Sequence, residues 1–396
     1  METDNLLQYR DEFPILDRCT YLVSHSLGAM PRGARQGLES YAQAWDLRGV
    51  RAWNEGWWSL PVTVGDRVGE VIGAPAGSVA MQPNVTLATA LYLSCLEFSG
   101  PRNRLVTTAM NFPSLLYLFD GVSGAEVVRV PSEDGVTVDP ERILAAIDER
   151  TRLVAISHVL FRSSFIQDAA RIAARAREVG AGFLLDAYQS AGTVPLDATA
   201  LQADAVVGGC LKWLCGGPGA AFLYVRPDLA GTLTPRLTGW QAHHDPFAFA
   251  PPPIERAAGA WRFLHGTPAV PSLMAAEAGL EILALVGIDR VREKSLRQTT
   301  MILERCDREG WPVRTPRRPE SRGGTVSIDL PHAYEISREL LARDVIIDYR
   351  PGAGIRLAPH FYSRDQEVSG ALDEIVRIQK DGSWKRHQDR ARDTVT

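Results

Sequence analysis

From about residue 60 to residue 265 the chain alternates short apolar runs with longer stretches whose apolar positions recur at helical spacing. Leu105-Val106-Thr107, Glu126 to Val130, Leu153 to Ser157, Phe183 to Leu185 and Ala205 to Val207 are short, β-branched-rich runs, the pattern of buried strands. Between them, Asp168 to Val179 alternates Ala and Arg with helical spacing. Strand and helix in alternation predict an α/β fold with a mostly parallel, doubly wound sheet. Pro246 to Pro253 reads as a loop, and residues 268–310 as one or two long helices. The style then changes. Gly324 to Leu330 alternates as a half-exposed strand, followed by a helix (Tyr334 to Arg343) and a strand (Val345 to Ile347), which predicts a smaller C-terminal α+β domain. The expected division is therefore an N-terminal arm over 1–59, a large domain over 60–267, and connecting helices with the small domain over 268–396. The charged end, residues 380–396, is expected to fray.

Composition narrows the picture. With 396 residues and 45% apolar content the chain can bury a large core. A formal charge of −4 offers no electrostatic footprint for nucleic acid. No run of apolar residues is long enough for a membrane span. The start, Met1-Glu2-Thr3-Asp4-Asn5, is polar and acidic, unlike a secretory signal. Together with five scattered cysteines this points to reduced thiols in a cytoplasmic protein. Cys210 and Cys215 lack a metal-site spacing, and the adjacent His243 and His244 on an irregular loop point apart, so no metal is expected.

The chemistry concentrates around Lys212. The apolar strand Ala205 to Val207 ends in Gly208-Gly209, and one lysine follows before the turn Gly216-Gly217-Pro218-Gly219. Small residues let backbone approach a ligand closely. A second apolar run ends in Asp186, and in open α/β sheets ligands gather at the carboxyl ends of strands. A lysine that can bond covalently to an aldehyde, facing an acid that keeps a pyridine nitrogen protonated, is the working pair of a pyridoxal 5′-phosphate (PLP) enzyme. The plain alternatives are a surface lysine and a helix-capping aspartate. Asn84-Val85-Thr86 opens a helical stretch, so its free amides and hydroxyl suit a phosphate, or simply cap a helix. Phe112 follows a strand and can stack on a ring or fill the core. Arg356, flanked by apolar residues, meets either a substrate carboxylate or an internal acid. Trp58, with Trp53 and Trp57, walls a pocket or packs a core.

In this order the segments resemble the kynureninase-like branch of the class V, fold-type I PLP enzymes over most of the chain. Ser24-His25-Ser26-Leu27-Gly28 is similar to that branch's N-terminal "NSLG" segment, with His25 in place of Asn. Asn111-Phe112-Pro113, Asp186-Ala187-Tyr188-Gln189, Lys212-Trp213-Leu214-Cys215-Gly216-Gly217-Pro218-Gly219, Gly239-Trp240-Gln241-Ala242-His243, Gly266-Thr267-Pro268 and Gly354-Ile355-Arg356-Leu357-Ala358-Pro359 resemble its remaining motifs. The resemblance implies that Lys212 binds the cofactor aldehyde, that Asp186 holds the ring nitrogen and that Phe112 stacks on the ring. Asn84, Val85 and Thr86 would serve the phosphate, and Trp240 and Thr267 would reach it across a homodimer interface. Gln189 stands beside the cofactor, Arg356 grips the carboxylate of a small amino-acid substrate, and His25, Trp58 and Tyr188 line the substrate side. Several positions depart from strict kynureninases. Leu115, Gln189 and Leu211 replace Asp, His and Tyr, Tyr188 replaces a small residue, and Ser164 stands where a loop glycine is usual. The implied activity is a lyase at the β-carbon of an L-amino acid, cleaving the C–S bond of a cysteine S-conjugate, plausibly in bacterial secondary metabolism. Kynureninase-type Cβ–Cγ hydrolysis, decarboxylation-coupled oxidative deamination, transamination and non-catalytic binding are the alternatives.

Overall fold

The computed structural model describes residues 4–388. After a two-residue strand β1 (Thr20–Tyr21), the chain lays down β2 (Val79–Gln82), β3 (Arg104–Thr108), β4 (Glu126–Val130), β5 (Thr151–Ser157), β6 (Gly182–Asp186), β7 (Ala205–Gly209) and β8 (Ala221–Val225). These seven form one sheet in the order β2-β8-β7-β6-β5-β3-β4. β4, β3, β5, β6 and β7 pair in parallel, and β8 runs antiparallel to both β7 and β2. The strands alternate core faces: Val154 and Ile156 of β5 belong to one apolar cluster, Leu153 and Ala155 to the other. Both faces are therefore covered, which is why these runs read as apolar throughout. The mostly parallel, doubly wound sheet matches the expectation. The edge pair β2 and β8 was not among the strands expected.

The small domain has its own core. β9 (Val326–Ile328), β10 (Val345–Ile346), β11 (Asp348–Arg350) and β12 (Gly354–Leu357) follow. β11, β12 and β9 form an antiparallel sheet, and β10 pairs with β1. Ile328, Ile347, Ile355 and Leu357 pack with Ile336, Leu340 and Ile375 from the helices Ala333–Ala342 and Asp365–Asp381. Two long helices connect the cores. Val270–Val286 buries Leu273, Leu280 and Leu283 in the large core, and the chain turns by 83° at Gly287, whose φ is +82°. Ile288–Glu309 then carries Ile302 and Cys306 into the small core. Among the described residues no single helix is long and apolar enough to cross a membrane.

The N-terminal arm threads between the cores: Tyr21 and Val23 join the large one, Leu22 the small one. Arg10 anchors the arm with a two-pronged pair to Glu367 (2.6 and 2.9 Å). The C-terminal end corrects one expectation. Residues 380–388 dock rather than fray: Trp384 stacks on His332 (3.7 Å), and Arg386 and His387 both pair with Glu339, whose side chain is buried. An opposite charge on the small domain turns a charged tail into a counter-ion. Residues 389–396 lie outside the described residues.

Candidate active site

Strand register brings the predicted groups to one edge of the large sheet. Ser157 of β5 lies beside Asp186 of β6, which lies beside Val207 of β7. Further along, Gly209 lies beside Ala221 of β8, and Ala221 beside Gln82 of β2. Asn84 follows Gln82 by two residues and Lys212 follows Gly209 by three, so lysine, aspartate and helix start share the carboxyl edge. The order of β3, β4 and β5 reverses the direction of winding here, the place where such sheets open a crevice. Asn111 staples that crevice. Its side-chain amide donates to Thr107 Oγ1 (2.9 Å) and the Ala155 carbonyl (3.2 Å), and its oxygen accepts from Thr108 Oγ1 and the Ser157 amide. Phe112 is thereby fixed at the rim. It is 43% exposed, with Phe161 meeting its ring edge to face at 5.1 Å.

The Lys212 amine lies 4.5 Å from the Tyr188 ring centroid and 5.7 Å from that of Phe112. Burial, then the Arg356 charge, lower its pKa to about 7, against the pull of Asp186 and Asp348. The amine is thus substantially neutral near neutral pH. Asp186 is buried; its carboxylate accepts from the Tyr188 amide (2.9 Å) and Ser157 Oγ (3.1 Å). Burial pushes its carboxyl up, while the Tyr188 amide, Lys212 and Ser157 pull it back. The backbone packs tightly against these groups, at positions only glycine fits. A Cβ on Gly28 would stand 2.1 Å from the Lys212 carbonyl, and one on Gly209 2.7 Å from the Tyr188 ring. Asn84 caps the helix Val85–Leu93 through the Leu87 amide (2.9 Å), leaving the first-turn amides of Val85 and Thr86 outside the helical ladder. A part-exposed phenyl ring, a buried acid, an amine of lowered pKa and a helix N-terminus on one sheet edge fit the expected PLP.

A second cluster sits on one face of the small sheet. Arg356 pairs across strands with Asp348 and Ser327, so these residues, with Arg350 two along from Asp348, share the face opposite the core. Asp348 holds Arg356 side-on: Nε donates to Oδ1 (2.8 Å) and Nη2 to Oδ2 (2.5 Å). Nη1 donates to the Phe161 carbonyl (2.6 Å). His25 Nε2 bonds Asp348 Oδ1 (2.9 Å), and Arg350 Nη2 lies 3.3 Å from Oδ2. Burial raises the Asp348 carboxyl, but His25 and Arg356 outweigh it and hold it well below the carboxylate range. His25 is pushed down to about 4 by burial, then by Arg356, so it is neutral and donates to Asp348 through Nε2. The internal-acid alternative for Arg356 is therefore realised, and Asp348 presents it like a held tool. The end of the guanidinium fork turned away from Asp348 keeps N–H groups to give a second carboxylate.

Other expected residues land differently. His25 is buried behind Asp348 rather than on an open wall. Gln189 is also committed within the protein: it accepts from Trp213 Nε1 (3.2 Å) and donates to the His25 carbonyl (3.1 Å). Tyr188 faces the lysine. Trp58 and Trp240 meet edge to face (4.9 Å) with Phe247 and Phe249 around them. Trp240 is 41% exposed, and Thr267 lines a cavity with Gln82, Pro83 and Gln241. Ser164 keeps the left-handed backbone (φ +63°) of a loop glycine, and its hydroxyl accepts from the Thr325 amide. Asp348, Arg350, Ser157 and Asn111 were not singled out from the sequence. The signal for Asp348 was an acid ending the apolar run Val345-Ile346-Ile347. Among the described residues no three His, Cys, Asp or Glu side chains group as metal ligands.

Comparison with known proteins follows the same lines. The sequence profile described as aminotransferase class-V matches residues 63–349. Kynureninase from Burkholderia pseudomallei (strain 1106a) is 32% identical over 406 aligned residues, covering 99% of this chain and 97% of the relative. Kynureninase from Pseudomonas fluorescens is equally similar, 32% over 407 residues, with the same coverage of 99% and 97%. The fold superimposes on the apo cysteine desulfurase of Thermococcus onnurineus NA1 with a TM-score of 0.83 at 20% identity, covering 94% of this chain and 98% of that one. It also superimposes on the cystine C-S lyase C-DES in complex with its product cysteine persulfide, with a TM-score of 0.82, 20% identity, and coverage of 92% and 98%.

Proposed function

The chain belongs to the class-V aminotransferase family and is a PLP-dependent enzyme of fold type I, and on that premise we propose that it cleaves a bond at the β-carbon of an L-amino acid, foremost the C–S bond of a cysteine S-conjugate. Bound PLP supplies an electron sink for the carbanion left at the α-carbon. The protein supplies the rest. Lys212 would hold the cofactor and, as a free amine, would take the substrate's α-proton, for which a pKa of about 7 is well matched. Asp186 keeps the ring nitrogen protonated. Phe112 stacks on the ring, and the helix start at Asn84, Val85 and Thr86 receives the phosphate. Arg356, held by Asp348, takes the α-carboxylate. Trp240 and Thr267 complete the phosphate site of a second copy in a homodimer.

One observation carries the choice of C–S cleavage. The walls around the Lys212 amine are Phe112 and Tyr188, of which only Tyr188 carries a hydroxyl, and Leu211 and Gln189 stand where the kynureninase-type pattern has Tyr and His. Loss of a thiolate needs only α-proton removal, whereas hydrolytic Cβ–Cγ cleavage needs an activated water and a proton donor. The second reading, kynureninase, rests on the 32% identity to kynureninases along nearly the whole chain. Mass spectrometry of products from kynurenine and a panel of S-alkyl cysteines separates the two. Thiol, pyruvate and ammonia from the conjugates are expected; anthranilate and alanine formed from kynurenine at higher kcat/KM would reverse the assignment.

A further inference from the structure

The polar face of the small sheet carries two guanidiniums for one carboxylate. Asp348 Oδ2 meets Arg356 Nη2 at 2.5 Å and Arg350 Nη2 at 3.3 Å. Asp348 and Arg356 are both fully buried, engage through two parallel hydrogen bonds, and form a pair whose charges cancel. His25 adds no charge to it. Arg350 stands differently. Its side chain is 31% exposed; Nη1 donates to its own neighbour's carbonyl, Tyr349 (3.1 Å), and among the described residues no acid other than Asp348 pairs with it. Asp348 and Arg350 are two apart on β11 and therefore project from the same face, toward the large domain where Lys212 lies. The Arg350 charge is felt at Lys212, as one of the groups that lower its pKa.

We infer that Arg350 is the second residue of the substrate-carboxylate grip, supplying the net charge that draws the anion in while Arg356 supplies the planar fork that orients it. An internally neutralised pair offers direction but little long-range attraction. A half-buried cation with half a counter-ion is the opposite: it gains an opposite charge at small cost, because it is not first pulled from a tight partner. The two guanidiniums adjoin the same oxygen, so one carboxylate can touch both. The inference rests on the reading that an amino acid's carboxylate docks on this face, and it deepens that reading by dividing the task.

The division is testable because charge and fork geometry respond differently to lysine. The ligands are 3-(methylthio)propionate, which has no amine and cannot displace Lys212, and its neutral amide. Their dissociation constants are measured by calorimetry on the PLP-loaded protein, so no turnover is involved. Wild type should prefer the acid by about tenfold or more, the worth of one charge-assisted contact. Arg350→Met should remove most of that preference and leave the amide's affinity unchanged. Arg350→Lys should keep it, since a point charge suffices there, whereas Arg356→Lys should lose it, since the fork is gone. If Arg350→Met fails to fold, Arg350→Gln is held to the same criterion. Equal binding of acid and amide by wild type would overturn the inference, as would an Arg350→Met protein that still prefers the acid or weakens both ligands alike. These outcomes are independent of which β-bond is cleaved: product analysis can reject C–S cleavage while the acid preference and its lysine pattern stand.

Discussion

The two halves of the site are built on opposite electrical plans. On the carboxyl edge of the large sheet, Asp186 is buried and Lys212 half-buried, and among the described residues neither forms an ion pair. Burial works against the charged form of each, pushing the amine's pKa down and the acid's up. On the small-sheet face, Asp348 is saturated by Arg356, His25 and Arg350. The first half stores unmet charge for a ligand, as sites of chemistry do. The second spends its charges on one another and gains rigidity. Substitutions should therefore separate cleanly: changes in the first half should strike turnover and spare stability, and changes in the second should strike stability and ligand affinity.

The largest expected effect is that of Lys212→Ala. Turnover should vanish, and reconstituted protein should lack the absorbance of covalently attached cofactor. The apo-protein should be no less stable in urea than wild type, because a buried amine of lowered pKa is a liability to the fold. A variant with appreciable activity would remove Lys212 from its role; a markedly less stable one would break the contrast between the halves. The same amine gives a pH signature. Attachment requires its neutral form, so the rate of PLP incorporation into apo-protein should rise as pH increases through about 7 and level off above it. A rate still climbing steeply at pH 9 would mean an ordinary, solvated lysine.

Asp348→Ala comes next and should behave in the opposite way. It leaves the Arg356 guanidinium buried without its counter-ion, an arrangement that costs about 3–5 kcal/mol. Urea denaturation should register that loss, and kcat should fall less than affinity for carboxylate ligands. Asp186→Ala returns to the first half. It should cut the rate of α-proton exchange by roughly 10² or more, the usual worth of one preorganised charge in a site shielded from water. Its effect on stability should stay small, since burial already works against its charged form. An unchanged exchange rate would reduce Asp186 to a strand-end cap for the Tyr188 amide.

The same contrast explains what could be read from the chain beforehand. The large-sheet half depends on local grammar: an apolar run, then glycines and a lysine, or an apolar run, then an aspartate. Strand ends of a parallel sheet gather on one edge by topology, so Lys212, Asp186 and Asn84 could be brought together without coordinates. The small-sheet half depends on register. Asp348 meets Arg356 because β11 and β12 pair antiparallel across the turn at Gly352, and a one-residue slip would have turned both to the core. Sequence offered the members of that hairpin but not their partners, so Arg356 was recognised and the acid holding it was not. The partners of Gln189 were hidden for a related reason: its amide is taken up by Trp213 and by the arm at His25, the latter a contact between segments far apart in the chain.

The smallest expected effect concerns His25, and its sign depends on pH. Its Nε2–H donates to Asp348 Oδ1, but Arg356 Nε bonds the same oxygen, so the oxygen keeps a partner when the imidazole is removed. His25→Ala should therefore cost only about 1 kcal/mol of stability at pH 7 beyond the cavity it leaves, the net worth of one hydrogen bond. Its folded pKa of about 4 lies below the ordinary histidine value of 6.5. Between those values the unfolded chain binds the proton and the folded chain does not, so the wild type loses stability as pH falls from 6.5 toward 4. The alanine variant has no such loss at this position. The gap in melting temperature between wild type and His25→Ala should consequently narrow as the pH is lowered from 7 to 5. A gap that widens would mean that His25 is protonated in the fold and bridges Asp348 as a cation, which would add a second uncompensated charge to the small-sheet cluster beside that of Arg350.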